Sequence, residues 1–122
     1  MSLTKDAEEV REKVTAWYRS ISKDIDVYSM VNPDRLDQYC EAFGQWKMYQ
    51  RQYKGYADIV NSLDREDLMA MVTFGKMMNK QVHICNEIAD SLLLTPKSLY
   101  QIGVFGTKKE AENSVESFME DL

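Results

Sequence analysis

Apolar residues between positions 32 and 60 recur alternately three and four residues apart. This is the heptad spacing of a long amphipathic helix that buries one seam against other helices. Asn32 can cap the start of such a helix, and Pro33 at its first position loses no hydrogen bond. The pattern therefore predicts a helix from Asn32 to about Val60. Its seam positions are Leu36, Tyr39, Phe43, Trp46, Gln50, Tyr53, Ala57 and Val60.

The seam of this helix is rich in aromatic rings, which bury a large area per residue. Gln50 interrupts it, and a polar seam residue either sets register or oligomeric state, or lies at the edge in contact with water. On the opposite face, two roles for glycine stay open: Gly44 permits a close approach by a neighbouring helix, or Gly55 marks the start of fraying. We expect a core or oligomer seam formed by Trp17, Tyr39, Phe43, Trp46, Gln50 and Tyr53.

Residues Thr4–Tyr28 carry the same spacing and predict the first helix. Its apolar positions are Ala7, Val10, Val14, Trp17 and Ile21, continued by Ile25 and Tyr28. Only Ser29–Val31 separate this helix from the Asn32-Pro33 start of the next, and a residue before proline leaves the helical region. A link this short places the two helices side by side and roughly antiparallel.

Positions 61–79 are the least regular part of the chain. The segments Leu68–Thr73 and Met77–Val82 flank Phe74-Gly75-Lys76, an arrangement that favours a small β-hairpin with a glycine turn. Four methionines lie here, at positions 69, 71, 77 and 78, and either fill the core or form an adaptable contact surface.

The rest of the chain contains signals for three further helices. Apolar residues in Lys80–Leu93 predict a third helix, and Thr95 followed by Pro96 predicts a short helix over Pro96–Ile102. Thr107 and Glu110 have capping-box spacing and predict a short, weakly amphipathic acidic tail helix, one that could become ordered only on a partner. The sequence thus predicts an all-α fold: long antiparallel helices with a small β-hairpin insertion and a short C-terminal helix. We divide it into a helical domain, residues 1–107, and an acidic C-terminal tail, residues 108–122.

Composition narrows the functional class. The chain has 122 residues and a net charge of −5, of which residues 108–122 contribute −3 from two lysines and five acids. A net negative charge argues against nucleic-acid binding through the overall charge of the protein. It does not exclude binding through a local basic strip, or through a strip that oligomer symmetry repeats. No apolar run is long enough to span a membrane, and the charged N-terminus is unlike a secretory signal. Cys40 and Cys85 lie on different predicted helices and are expected to be buried, reduced thiols of a cytoplasmic protein.

The sequence offers little chemistry for an enzyme. It has no phosphate-binding glycine loop and no nucleophile elbow. His83 is the sole histidine, and with Cys85 and Cys40 it leaves a metal site short of the usual four ligands. Asp37 and Glu41 share a helix face that is expected to be exposed. We therefore expect no catalytic residues, no metal and no cofactor.

A basic strip is the clearest candidate for binding. Lys47, Arg51 and Lys54 are spaced four and three apart on the flank of the second helix, beside the seam. Facing a phosphate backbone, each would make a salt-sensitive contact. A solvated helix flank explains the same pattern, and such stripes are common on exposed helices.

The order of several segments resembles a family of phage terminase small subunits. A helix with a central tryptophan (AWYRSISKDID) and a short link precede DRLDQYCEAFGQWKMYQ, and NEIADSLLLTPKSL follows a variable region. The matching residues are Asp34, Leu36, Tyr39, Cys40, Ala42 and Trp46, then Leu92, Leu94, Thr95, Pro96 and Ser98. The resemblance covers about residues 15–102. Leu93 stands where the family usually has glycine, Asn79-Lys80 replaces Asn-Pro, and Lys97 is the basic residue left after the Thr-Pro pair.

The resemblance implies a non-catalytic component of viral DNA packaging in the cytoplasm of a bacterial host. Family members are all-helical, assemble into homo-oligomeric rings, recognise phage DNA and deliver it to the large terminase subunit, which carries the ATPase and nuclease. By this resemblance residues 1–107 would serve oligomerisation and DNA recognition, and the acidic tail would contact the large subunit. We expect phosphate contacts from Lys47, Arg51, Lys54 and Lys97.

Two other functions fit the sequence. One is a helical protein–protein interaction or adaptor module without nucleic-acid binding, which the acidic balance favours. The other is a helix-turn-helix regulator, although the second helix has aromatic and acidic residues where a recognition helix would have polar and basic ones.

Overall fold

The structure is a computed structural model that describes residues 3–122, and all of its regular elements there are helical. Five α-helices occur in the order α1 (Lys5–Ile21), α2 (Pro33–Ala57), α3 (Arg65–Ala89), α4 (Pro96–Gln101) and α5 (Lys108–Asp121). Short 3₁₀ turns at Tyr28–Met30 and Val60–Ser62 precede α2 and α3. The expected all-α class is confirmed for the described residues. In the same range, no helix is long and apolar enough to cross a membrane.

The first two helices pack antiparallel, as their short link predicts. Asn32 caps α2 as expected, because its side chain accepts hydrogen bonds from the N–H groups of Asp34 and Arg35. Gly44 lies against α1, and a Cβ at this position would come within 2.9 Å of the Ala7 nitrogen. The close helix approach expected at Gly44 is therefore confirmed.

The first helix is shorter than expected. It ends at Ile21, not Tyr28, because the Ser22 hydroxyl donates to the Tyr18 carbonyl and accepts from the Val27 N–H. These bonds replace the next helical turn with a local side-chain turn. Tyr28 lies in the following 3₁₀ turn, so the apolar periodicity continues past the end of the helix.

The predicted β-hairpin is wrong. Residues 65–89, which include both expected strands, form the single helix α3, and Asp64 caps it by accepting from the Asp67 N–H. The third helix therefore begins at Arg65 and not at Lys80. Gly75 lies within the helix, where the Tyr53 ring of α2 comes within 3.4 Å of the place a Cβ would occupy.

A heptad pattern explains this outcome. One side of α3 faces α2 with spacings of three and four, and this side is formed by Met71, Phe74, Met78, Gln81, Cys85 and Ile88. Methionine, leucine, lysine and glutamine favour helix, whereas the β-branched residues that favour strands are few in this segment. The cost of Gly75, about 1 kcal/mol, is small against the packing of two 25-residue helices.

The core lies at the base of this pair of helices. Val10 and Val14 of α1 and Leu36 of α2 are fully buried there, together with Leu92 and Leu99 from the C-terminal part of the chain. The Tyr18 hydroxyl donates a hydrogen bond to the Leu92 carbonyl, and burial raises the pKa of this phenol. The same core also holds Cys40 and Cys85, which confirms the prediction that both cysteines are buried and are not joined to each other in a disulfide.

Leu93 ends α3 in an unusual backbone conformation. Its φ is 56°, in the left-handed region that glycine adopts without steric cost. The N–H of Leu94 donates to the Ala89 carbonyl and that of Leu93 to the Asp90 carbonyl, which is the hydrogen-bond pattern of a Schellman cap. The Leu93 side chain is buried, and this packing offsets the strain of its backbone.

The remaining two helices fold back onto the core. Thr95 caps α4 through a capping box with Ser98, as the Thr-Pro pair predicts. Thr107 caps α5 by accepting from the Glu110 N–H. The apolar side of α5 is buried, and Phe118 stacks on Trp17 of α1 with ring centroids 4.5 Å apart. Residues 108–122 thus form an ordered helix packed on the body of the protein.

Candidate subunit and nucleic-acid interface

The outer part of the α2–α3 pair extends beyond the core, and we call residues 46–82 the distal hairpin. Buried residues of α2 end at Gly44, and those of α3 begin at Cys85. Within the distal hairpin, Tyr49 and Tyr56 pack around Phe74, so the two helices remain in contact along their length. Several large apolar side chains are nevertheless exposed here: Met48, Ile59, Val60, Leu68, Met69, Val72, Met77 and Val82.

One side of the distal hairpin carries aromatic and aliphatic residues, and we call it the aromatic face. It consists of Trp46, Gln50 and Tyr53 on α2 and Leu68, Val72, Gly75, Asn79 and Val82 on α3. The α3 members are spaced four and three apart, so they form a second seam beside the one that faces α2. At its base lies a groove of about 260 Å³ between Phe43, Trp46 and Val82, into which Met119 of α5 also reaches.

The opposite side of the distal hairpin is different, and we call it the methionine face. It consists of Gln45, Met48 and Gln52 on α2 and Thr73, Met77 and Gln81 on α3. A groove of about 450 Å³ lies at its base, and Gln45, Gln81 and Ile84 contribute to its wall. Since Val82 and Ile84 line grooves on opposite sides of the same helix pair, the two faces point in opposite directions.

The structure divides the expected seam residues between core and surface. Trp17 and Tyr39 are buried in the core. Phe43 is half-buried against the core, and Trp46 and Tyr53 are half-buried along the aromatic face. Gln50 is exposed on that face, so it does not lie in the core of a single chain.

The expected basic strip lies along the outer edge of α2, but its three side chains differ in the contacts that they make within the chain. The Arg51 guanidinium forms a two-point ion pair with Asp6 of α1, at 2.6 and 3.3 Å. This hydrogen-bonded pair holds the pKa of Asp6 below its usual range. Lys47 lies over the Phe43 ring, 5.8 Å from its centroid, and Lys54 is exposed. Nothing in the sequence identifies Asp6, 45 residues away, as the partner of Arg51.

Lys97 lies apart from this strip. It borders a cavity of about 550 Å³ together with Tyr100 and Lys108, and the Lys108 ammonium lies 5.7 Å from the centroid of the Tyr100 ring. Thr95 borders both this cavity and the groove beside Phe43, which places Lys97 on the same side of the molecule as the aromatic face. Sequence reasoning missed Tyr100 and Lys108, because α5 brings Lys108 beside α4 only in the folded chain.

Polar groups elsewhere have structural roles. His83 lies 2.9 Å from Glu87 one turn along α3, and Asp37 pairs with Arg11 of α1 at 2.9 Å. Burial raises the pKa of the Cys40 thiol to about 12 and that of Cys85 to about 11, which disfavours the nucleophilic thiolate. Among residues 3–122 no group of His, Cys, Asp or Glu side chains is arranged to hold a metal ion.

Comparison with known proteins identifies no relative. Neither family models, nor curated proteins, nor solved structures match this chain.

Proposed function

We propose that this protein is the small subunit of a phage terminase, a non-catalytic protein that binds viral DNA and delivers it to the large ATPase and nuclease subunit. One observation carries the proposal. A long helical hairpin extends from a small core and presents uncharged apolar faces beside a strip of basic residues. Exposed apolar surface of this kind marks an interaction site, and self-association would repeat the basic strip in every subunit.

The end of α3 supports the resemblance on which the proposal rests. Leu93 replaces the glycine usual in the resembled family, yet its φ of 56° is a conformation that glycine adopts without cost. The following Thr95 and Pro96 open α4 with a capping box. The chain therefore keeps the turn that a Gly-Leu-Thr-Pro sequence would make, although one residue differs.

Electrostatics explains why the oligomer matters to DNA binding. A single chain carries a net charge of −5, which opposes association with a polyanion. Lys47 and Lys54 lie on one edge of the distal hairpin. A ring would align these edges into a repeated basic surface, and each phosphate contact would release counterions.

Charge reversal on this edge tests the DNA-binding role. We expect Lys47→Glu with Lys54→Glu to abolish duplex binding in a mobility-shift titration at low salt. For any residual binding, the slope of log affinity against log salt should fall by about 2 for each engaged subunit, since each contact contributes roughly 0.9. The matched control, Arg19→Glu with Lys23→Glu, makes the same change in charge at exposed positions near the end of α1.

The Asp6–Arg51 pair allows a second test, in which DNA binding is expected to become stronger. Asp6→Asn releases Arg51 and should strengthen DNA binding, whereas Glu8→Gln, with the same change in charge on the same helical turn, should have a smaller effect. Unchanged binding in both the Lys47/Lys54 and the Asp6 variants would contradict the DNA-binding assignment.

The uncharged hairpin faces also favour a second function, a helical adaptor that binds proteins only. An oligomeric chain that fails to bind any DNA duplex at low salt would support this alternative.

Contact with the large subunit is assigned to the exposed acidic side of α5. Because Phe118 is buried against Trp17, deletion of residues 108–122 would expose the core and confuse two effects. Neutralising Glu112, Glu116 and Glu120 to glutamine instead changes only exposed positions. We expect this variant to lose stimulation of the large-subunit ATPase. Full stimulation would contradict the assignment.

A further inference from the structure

A cavity lies between α4 and the start of α5, and we call it the α4–α5 cavity. Its volume is about 550 Å³, and its wall includes Lys97, Tyr100, Gln101, Lys108 and Glu112. We propose that this cavity binds an unpaired nucleotide, with the base stacked on the Tyr100 ring and the phosphate held by the two lysines. Such a site goes beyond the proposed function, because it requires neither an oligomer nor the basic strip on α2.

Both walls of the α4–α5 cavity are fixed by the fold. Leu99 of α4 and Ala111 of α5 are fully buried and anchor the two helices on the core. Between the helices, Gly103 has a φ of 81°, and its N–H donates to the Tyr100 carbonyl while the Val104 N–H donates to the Leu99 carbonyl. This is the hydrogen-bond pattern of a Schellman cap. The cavity is therefore formed before a ligand arrives, which lowers the cost of ordering the site on binding.

The Tyr100 side chain supplies a flat surface on which a base can stack. It is 39% exposed, and the Lys108 ammonium lies 5.7 Å from the centroid of its ring. A cation–π contact at an exposed site is weak, and the flexible lysine stem allows the ammonium to move to a phosphate and uncover the ring. Aromatic side chains stack on every type of base. Inside a duplex the neighbouring bases cover both faces of each base, so the ligand must be unpaired.

Two ammonium groups converge on the cavity from different helices. Lys97 lies on α4 and Lys108 on α5, and within residues 3–122 neither forms an ion pair. Glu112 is the one acidic residue of the cavity wall, so the wall is positive in a chain with a net charge of −5. This local excess of positive charge favours a phosphate group over a neutral ligand.

Gln101 and Glu112 complete the chemistry that a nucleotide needs. Both are exposed at the cavity wall. A carboxamide donates and accepts hydrogen bonds, and a carboxylate accepts them. Adenine and cytosine carry exocyclic amino groups that donate to such oxygens.

The combination of groups identifies the ligand class. A simple anion would use only the two lysines, and a neutral aromatic molecule would use only the Tyr100 ring. A nucleotide uses the ring, the cations and the hydrogen-bonding groups together. The cavity volume of about 550 Å³ also lies within the range of roughly 300–1,000 Å³ that is typical of small-molecule sites.

Calorimetric titration of the full chain with dAMP tests the site. We expect dAMP to bind more tightly than deoxyadenosine, which lacks the phosphate, and more tightly than inorganic phosphate, which lacks the base. A second titration uses a short single strand of deoxyadenylate with a 5′-phosphate. Binding of this strand and of dAMP would identify a DNA strand as a source of the nucleotide, whereas binding of dAMP alone would identify a free nucleotide.

Substitutions in the cavity separate its three kinds of contact. Tyr100→Ala should weaken dAMP binding by roughly 5- to 100-fold, since it removes the stacking surface, whereas Tyr100→Phe keeps the ring and should retain most of the affinity. Lys97→Ala and Lys108→Ala should each weaken binding of dAMP but not of deoxyadenosine. The matched control is Lys109→Ala, which removes the same charge at the next position, an exposed residue outside the cavity wall. Circular dichroism checks that each variant is folded.

Three results would overturn the assignment of a nucleotide site. They are no binding of dAMP up to about 10 mM, which is weaker than a specific site would be, binding of inorganic phosphate as tight as that of dAMP, and unchanged binding by Tyr100→Ala. The titration contains no duplex DNA. A failed mobility-shift assay with intact dAMP binding would thus reject the proposed duplex-binding function and leave the nucleotide site standing, and the opposite pair of results would reject the nucleotide site alone.

Discussion

At the residue scale, Gly44 sets the distance between α1 and α2. Its missing side chain lets the Ala7 backbone approach to a distance that a Cβ atom would not permit. Gly55, eleven residues further along the same helix, has no neighbour within 4 Å of the Cβ position. The same residue type in one helix thus serves close packing at one position and no packing at the other, which sequence reasoning could not decide.

This difference predicts opposite effects of one substitution. Gly44→Ala should lower the free energy of unfolding by about 1–3 kcal/mol, because a backbone must move to admit the new atom. Gly55→Ala should raise it by about 0.5–1 kcal/mol, because alanine is the better helix former in open space. Urea unfolding followed by circular dichroism measures both values. A stabilising Gly44→Ala would show that α1 does not lie against α2 at this point.

At the scale of elements, α3 is where local signals and tertiary packing disagree. Phe74-Gly75-Lys76 between two short apolar runs is typical of a hairpin turn, but the segment forms the middle of a helix. The heptad spacing of Met71, Phe74 and Met78 stabilises a helix only when α2 packs alongside it. Two tyrosines of α2 pack around Phe74. Caps, in contrast, depend on a few adjacent residues, and those at Asn32, Thr95 and Thr107 were predictable.

Phe118 of the tail helix α5 makes an aromatic contact with α1. Phe118→Ala should destabilise the protein by about 3–5 kcal/mol, since Phe118 is buried and stacked on Trp17. It should also shift Trp17 fluorescence toward that of an exposed indole, measured in a Trp46→Phe background that leaves one tryptophan. Glu116→Ala, at an exposed position of the same helix, serves as the control. Equal stability of the two variants would mean that α5 is not docked.

At the scale of the whole molecule, charge and apolar surface are separated. Net negative charge is concentrated in α5, the basic strip lies along one edge of α2, and the hairpin faces carry no ions. Assembly and DNA binding should therefore respond differently to salt, because apolar contacts do not weaken with ionic strength while phosphate contacts do.

This separation gives a prediction for the assembled protein. Light scattering after gel filtration should show the same oligomer mass from low salt to about 1 M NaCl, while DNA binding disappears over the same range. The two are measured on one preparation, so aggregation would be visible in both. A mass that falls in parallel with DNA binding would indicate that charged residues, not the two hairpin faces, hold the subunits together.

By itself the sequence determined the all-α class, the positions of most helix starts, the buried thiols and the existence of an aromatic seam. These follow from heptad spacing, capping residues and composition, which act within a few residues along the chain. Tertiary structure alone decided that Arg51 pairs with Asp6, that Gly44 admits α1, that residues 65–89 are one helix, and that Tyr100 and Lys108 join Lys97. The physical reason is that these features depend on contacts between residues that are remote in sequence. In residues 65–89, packing against a neighbouring helix also outweighs the local conformational preferences that a sequence pattern reflects.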